Sequence, residues 1–159
     1  MRPPWPWRLG RSAGLLLVLP VALAWLSSRG LAWLGAPPPQ ASPSAAMLAW
    51  LLWWGPLLET ALLLAAAAAV TWRATRHRPS AGAGRVACTL IIGLSFLVAH
   101  VPQSGPAALA SMPMALLLAG RAAHAVRQPA RQVGLVHAPA LYAMHVAYNA
   151  SVLWIGSAA

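Results

Sequence analysis

The sequence predicts an all-α membrane protein, a polytopic bundle of about five transmembrane helices. Hydrophobic residues make up 60% of the chain and charged residues only 8%. That composition argues against an ordinary water-soluble globular domain. The formal net charge of +10 would fit a nucleic-acid-binding protein. However, the arginines stand in short clusters between apolar runs, so we expect the lipid bilayer, and no nucleic acid, as a partner.

Five apolar runs are candidate spans, since a spanning helix needs about 20 mostly apolar residues. The first follows three arginines, but its length favours a retained anchor over a cleaved signal peptide. The third and fourth are short and share the connector VPQSGP, so a tight hairpin that does not cross fully is an alternative. The five runs cover roughly residues 13 to 34, 46 to 72, 86 to 101, 107 to 120 and 133 to 156.

The arginines predict the orientation of these spans. In a five-span arrangement ten of the eleven lie on one side: Arg2, Arg8, Arg11, Arg73, Arg76, Arg78, Arg85, Arg121, Arg127 and Arg131. The positive-inside rule then places the N-terminus in the cytoplasm and the C-terminus outside. Arg29 is the exception, near the outer end of the first span, where its long side chain would reach the headgroups. Trp50, Trp53, Trp54, Trp72 and Trp154 fall near span ends, as in an aromatic belt.

Two regions follow from this organisation. Residues 1–45 would form a cytoplasmic arm, the first anchor and the proline-rich outer loop APPPQASPS, and residues 46–159 a four-helix core. The single cysteine, Cys88, excludes an intramolecular disulfide and is expected to be a packed, inert thiol. The exclusive use of Arg as basic residue, with abundant Ala and Pro, indicates a GC-rich bacterial source and hence the inner (plasma) membrane.

Few polar side chains remain at membrane depth. Glu59 is the only acidic residue of the chain, and His100, His145 and Asn149 are expected at a similar depth in other spans. An ionisable group inside a span is expensive and is by default a functional-site hypothesis. The stretch HVAYN places His145 and Asn149 on one helix face, as FLVAH places Phe96 beside His100. A packing histidine or an asparagine that joins helices would be the simpler interpretation of each residue alone.

Two chemistries fit these side chains. Glu59, His100 and His145 would bind zinc with an open position for water, although the chain has no HExxH motif. Alternatively, Glu59 would act as a general base without metal, while His145 and Asn149 donate hydrogen bonds to an oxyanion. We favour no cofactor, with zinc as the open alternative.

The order PLLET, FLVAH, HVAYN resembles the CPBP family of intramembrane proteases, also described as the CAAX protease and bacteriocin-processing family. The resemblance covers roughly residues 46 to 156. It implies that Glu59 and His100 activate the attacking water, that His145 and Asn149 stabilise the oxyanion, and that Phe96 packs beside the site. Thr60 and Leu64 stand where the family has a second Glu and an Arg. Both partners of that expected ion pair are therefore missing together, which avoids an unpaired buried charge.

The expected function is an intramembrane endopeptidase whose substrates are membrane-anchored proteins or peptides. An outward-facing site favours C-terminal membrane anchors or sorting signals of exported proteins over prenylated cytoplasmic proteins. The alternatives are a catalytically inactive scaffold or bacteriocin-immunity protein, and a haem-binding subunit with His100 and His145 as axial ligands. His77, His124 and His137 are interpreted as solvated or interfacial.

Overall fold

Helices account for every regular element in the part of the chain that the structure describes. The computed structural model describes residues 7–33, 35, 43–76, 81–100 and 105–157. The elements are α1 (Trp7–Trp33), α2 (Ala45–Ala49), a first π-turn (Trp50–Trp54), α3 (Gly55–Arg76), α4 (Ala81–His100), α5 (Gly105–Ala125), α6 (Ala130–Gln132), a second π-turn (Val133–His137) and α7 (Ala138–Ser157). The predicted all-α class is confirmed. Most of the loop APPPQASPS and the first four residues of VPQSGP lie outside the described residues.

The long helices follow the predicted apolar runs with shifted ends. The run predicted from residue 86 begins earlier, in α4, and the run predicted to end at 120 continues to Ala125 in α5. Ser44 starts α2 as an N-cap, because its hydroxyl accepts a hydrogen bond from the Met47 N–H at 3.2 Å. Two of the predicted runs, those around residues 50 and 135, are not uniform α-helices, since each contains a π-turn.

Both π-turns are explained by a proline that follows them. Proline lacks an N–H, and its ring clashes with the carbonyl four residues earlier, so it does not fit a regular helix interior. Pro56 stands six residues after the first residue of the first π-turn, and Pro139 stands six residues after the first residue of the second. Widening the helix by one residue per turn relieves that clash, and such π segments are frequent at functional sites.

The tightest packing lies between α4 and α5. A Cβ atom added at Gly93 would lie 2.7 Å from Leu116 Cδ2, and one added at Gly120 would lie 3.6 Å from Thr89 Cγ2. Small residues at such positions let helix backbones approach closely. The buried core is accordingly rich in alanine, with Leu118, Met144 and Cys88 as its largest fully buried side chains apart from two prolines.

Helix α1 is part of this bundle. It packs along α7 and also against α5, while α3 contacts α4, α5 and α7. Ala24 of α1 is fully buried in the same core cluster as Leu141 and Tyr148 of α7. The first apolar run is therefore joined to the other helices by side-chain packing, whereas the division of the chain at residue 45 stays a prediction.

Two helical stretches of the described chain are long and apolar enough to cross a membrane. They are Ala45–Arg73, with a mean hydropathy of 1.5, and Gly105–Ala125, with 1.3. Only 28% and 39% of their most apolar windows are buried in the protein, whereas the core helix of a soluble protein is mostly buried. Large apolar side chains are exposed on every long helix, among them Val18, Leu62, Ile91, Leu109 and Trp154. Exposed apolar surface on this scale favours a membrane environment.

Candidate active site

Glu59 and His145 form the polar centre of the molecule. Glu59 lies in the second turn of α3 and His145 in the middle of α7, and Glu59 Oε2 is 3.0 Å from His145 Nε2. The His145 side chain is 5% exposed and the Glu59 side chain 31%. The sequence predicted a shared site for these two residues, and the packing of α3 on α7 brings them into direct contact.

The surroundings of His145 indicate which ring nitrogen carries its proton. Within the described residues, His145 Nδ1 is buried and has no hydrogen-bond partner. A proton on Nδ1 would therefore be buried without an acceptor, which costs free energy. The arrangement favours a proton on Nε2, which is donated to the Glu59 carboxylate.

The pair lies in the wall of a cavity of about 370 Å³. Five helices and the first π-turn contribute to it, and of these α1 supplies Ser27 and Leu31. The lining residues are Ser27, Leu31, Trp50, Leu51, Glu59, Phe96, Ala107, Ala108, Ala110, Ser111, His145, Tyr148, Asn149, Val152 and Leu153. The part of the wall that α5 supplies consists of small residues.

Asn149 lines the same cavity, one helical turn after His145. Its Nδ2 donates a hydrogen bond to the Leu51 carbonyl in the first π-turn at 2.8 Å. An asparagine amide has two N–H groups and one acceptor oxygen, so this contact uses one donor and leaves the second. Asn149 is thus placed beside the Glu59–His145 pair, as its spacing predicted.

Two further polar residues of the cavity escaped the sequence analysis. The Tyr148 hydroxyl donates to Ser27 Oγ at 2.9 Å, and Ser27 Oγ donates to the Ala110 carbonyl at 2.6 Å. Ala110 precedes Pro113 by three residues in α5, within the turn that the proline disturbs. The tyrosine of HVAYN was the available signal, because Tyr148 is adjacent to Asn149 and bears a hydroxyl that needs a partner when buried.

The hydroxyl groups among the described lining residues all donate hydrogen bonds to other oxygen atoms of the protein. Ser111 Oγ donates to the Ala108 carbonyl at 2.9 Å, and Ser27 and Tyr148 donate as described. The oxygen atoms that remain face a ligand as acceptors only. Beside the N–H that Asn149 keeps, these hydroxyls therefore present acceptor oxygens to the cavity.

Phe96 and His100 belong to the end of α4. The Phe96 ring packs edge-on to His145, with ring centroids 6.1 Å apart. His100 is the last residue of α4, and its side chain lies outside the described residues. Its expected contribution to the site, with or without zinc or haem, therefore stays a prediction.

The zinc alternative finds part of its ligand set here. Glu59 Oε2 and His145 Nε2 are close enough to bind one ion together, and His100 would be the third ligand of the predicted set. Among the side chains that the structure describes, no group of three or more His, Cys, Asp or Glu is placed to hold a metal. The described residues thus supply two of the three predicted ligands.

The residues that replace the expected ion pair are apolar or unpaired within the described part of the chain. Thr60 is 5% exposed, and its Oγ1 has no hydrogen-bond partner among the described residues. Leu64 is half-buried and packs against the core.

His124 and His137 do not line the cavity. His124 and His137 contact each other edge-on at 5.8 Å between ring centroids, near the turn after α5, and His77 lies outside the described residues.

Comparison with models of protein families, with curated proteins and with solved structures gives no match for this chain.

Proposed function

We propose that this chain is an intramembrane endopeptidase of the CPBP type, in which Glu59 activates water within the cavity. The observation that carries the proposal is the 3.0 Å contact between Glu59 Oε2 and His145 Nε2 in the cavity wall. A unique acid in contact with a buried histidine, beside an amide and open space, is the set of groups that hydrolysis of a peptide bond requires.

Glu59 is the general base of the proposed mechanism. The Nε2–H of His145 binds one carboxylate oxygen, which orients the carboxylate toward a water molecule in the cavity. As that water attacks the scissile carbonyl carbon, Glu59 takes its proton and the carbonyl oxygen becomes an oxyanion. Glu59 then returns the proton to the leaving nitrogen, the C–N bond breaks, and a carboxylic acid and an amine are released.

The CPBP resemblance assigns His145 and Asn149 to the oxyanion and His100 to the water. The contact of His145 with Glu59 instead supports a role for His145 in orienting the general base. Asn149 retains one amide N–H after its bond to Leu51, so an oxyanion donor is still available beside the pair.

The proposed protein spans the bacterial inner membrane five times, with its N-terminus in the cytoplasm and its C-terminus outside. Its substrates are C-terminal membrane anchors or sorting signals of exported proteins, cleaved near the outer interface. The exposed tryptophans of the first π-turn support an interfacial position for the cavity, since Trp50, Trp53 and Trp54 are each more than half exposed.

The test is cleavage of outward-facing, C-terminally anchored reporter proteins in membranes. We expect the variants Glu59→Gln and His145→Gln to lose at least about 100-fold in rate at equal expression, because general-base catalysis contributes about 10²–10⁴-fold. His124→Gln is the matched control, since His124 is an exposed histidine outside the cavity. Undiminished release by Glu59→Gln would refute the proposal.

An inactive scaffold or immunity protein is the second candidate function. The observation that favours it is the hydroxyl of Thr60, buried without a partner among the described residues, at the position of the family's second Glu. A protein selected for stable binding rather than hydrolysis would keep its phenotype after Glu59→Gln. The same variant therefore separates the two candidates.

A further inference from the structure

In the first π-turn, the N–H that would continue the hydrogen-bond pattern is missing. The Gly55 N–H donates to the Trp50 carbonyl, five residues back. The next carbonyl, that of Leu51, would pair in the same pattern with residue 56, which is Pro56 and has no N–H. Leu51 is half-buried and lines the cavity. An unpaired carbonyl in such a place costs free energy, all the more where lipid replaces water.

Asn149 supplies the missing donor from another helix. Its Nδ2 lies 2.8 Å from the Leu51 carbonyl oxygen. The carbonyl accepts only, so the amide nitrogen, and not its oxygen, must face Leu51.

The second π-turn shows why the first needs such a partner. It has the same design, because the Ala138 N–H donates to the Val133 carbonyl and the next residue is Pro139. The residue that corresponds to Leu51 is Gly134, which is exposed. The carbonyl of a half-buried residue requires a protein donor, whereas that of an exposed residue is less dependent on one.

The Asn149–Leu51 bond lies next to the Glu59–His145 contact in the structure. Leu51 and Glu59 flank Pro56 on one chain segment, and His145 and Asn149 are one turn apart on α7. Both contacts therefore join the same two segments, so the first holds the π-turn that leads into the helix from which the second is made.

We propose that Asn149 is a positioning residue whose side-chain amide replaces the N–H that Pro56 lacks. This hydrogen bond holds the start of α3 in the position in which Glu59 contacts His145. The structural part of this inference is independent of the reaction. Its consequence for activity rests on the proposed function.

A double-mutant cycle between Asn149 and Pro56 tests the structural part. Asn149→Ala should lower the Tm of the detergent-purified protein by about 3–6 °C, as expected for a lost hydrogen bond with a stranded carbonyl. In the Pro56→Ala background residue 56 regains an N–H, so the same change should lower the Tm by less than half as much. Pro139→Ala is the matched control background, in which Asn149→Ala should keep its full effect.

Equal losses in the wild-type and Pro56→Ala backgrounds would overturn the inference. If Pro56→Ala does not fold, the single variant Asn149→Leu decides, because leucine is similar in size to asparagine and has no donor. It should lower the Tm, and wild-type stability of Asn149→Leu would overturn the inference as well.

Cleavage of the anchored reporter tests the consequence for activity. The double variant Asn149→Ala/Pro56→Ala should cleave at least about tenfold faster than Asn149→Ala alone, because Pro56→Ala restores the position of Glu59 and supplies no oxyanion donor. A cycle without such restoration would show that Asn149 acts on the substrate instead. Absence of Glu59-dependent cleavage would refute the proposed function alone, since the Tm cycle does not depend on it.

Discussion

The hydroxyl pair of Ser27 and Tyr148 offers a test of how α1 is held in the bundle. Ser27 accepts from Tyr148 of α7 at 2.9 Å and donates to the Ala110 carbonyl of α5 at 2.6 Å, so one serine joins three helices. Ser27 is 4% exposed and Tyr148 is 8% exposed. The perturbation is a cycle of the variants Ser27→Ala, Tyr148→Phe and their combination.

The two single variants should differ in cost. Tyr148→Phe removes one hydrogen bond and leaves Ser27 bound to the Ala110 carbonyl, so we expect a loss of about 1 kcal/mol in the free energy of unfolding. Ser27→Ala removes both bonds and strands a buried hydroxyl and a carbonyl, so we expect a loss of about 2–4 kcal/mol.

The combined variant should cost less than the sum of the single variants. Once the tyrosine hydroxyl is gone, it is no longer stranded by the loss of Ser27. Interhelical hydrogen bonds in membrane proteins couple by about 0.6 kcal/mol on average, with a maximum of about 1.7 kcal/mol. We therefore expect a coupling of about 1 kcal/mol between Ser27 and Tyr148.

The assay is reversible unfolding of the detergent-purified protein, followed by far-UV circular dichroism during titration with a denaturing detergent. Tyr142→Phe is the matched control, because Tyr142 is a half-buried tyrosine on α7 that does not line the cavity. Strict additivity in the cycle would refute the reasoning. A cost of Tyr142→Phe equal to that of Tyr148→Phe would refute it too.

Three further predictions concern single positions. Gly55→Ala should destabilise the protein by about 1–3 kcal/mol, because the new Cβ would lie 3.0 Å from the Trp50 carbonyl oxygen. Gly134→Ala is the control, since its Cβ would have no atom within 4 Å, and it should be neutral or stabilising. Thermal unfolding of the purified variants measures both effects. The thiol of Cys88, which is 1% exposed, should resist maleimide labelling in the folded protein and react upon unfolding; rapid labelling of the folded protein would contradict its burial. Thr60→Val should raise the free energy of unfolding by about 1 kcal/mol. The change replaces a buried hydroxyl that has no partner among the described residues with a methyl group. A lower Tm of the variant would show that the hydroxyl has a partner.

The helices and the central pair were predictable from the sequence for the same reason. Apolar runs of spanning length can satisfy their main-chain groups only as helices, and a single acid in such a run requires a polar partner at its own depth. The sequence therefore predicts that Glu59 and His145 share a site, and the structure places Glu59 Oε2 3.0 Å from His145 Nε2.

The hydrogen bonds between helices were not predictable. Ser27 and Ser28 are neighbours in one apolar helix, yet Ser28 donates to the Ala24 carbonyl of its own helix at 2.9 Å while Ser27 reaches α5. Which serine faces a neighbouring helix depends on how α1 is rotated against α5 and α7, and a serine in an apolar sequence carries no mark of that rotation. Hydropathy alone does not reveal the π-turns, because Pro56 and Pro139 lie within continuous apolar runs, although proline in a helix interior predicts a local defect.

The cavity hydroxyls already donate hydrogen bonds within the protein, and this determines which chemical groups an inhibitor needs. Ser27, Ser111 and Tyr148 each offer a compound only oxygen lone pairs, next to the Glu59 carboxylate. One acceptor oxygen of a compound can accept from the N–H that Asn149 keeps, but further carbonyl, ether or sulfonyl oxygens that face these lone pairs would lose their hydration without a hydrogen bond in return. Amidines, hydroxamic acids and anilines bring the N–H and O–H groups that these oxygens need, so the affinity of a compound series should follow its number of donors more closely than its apolar area.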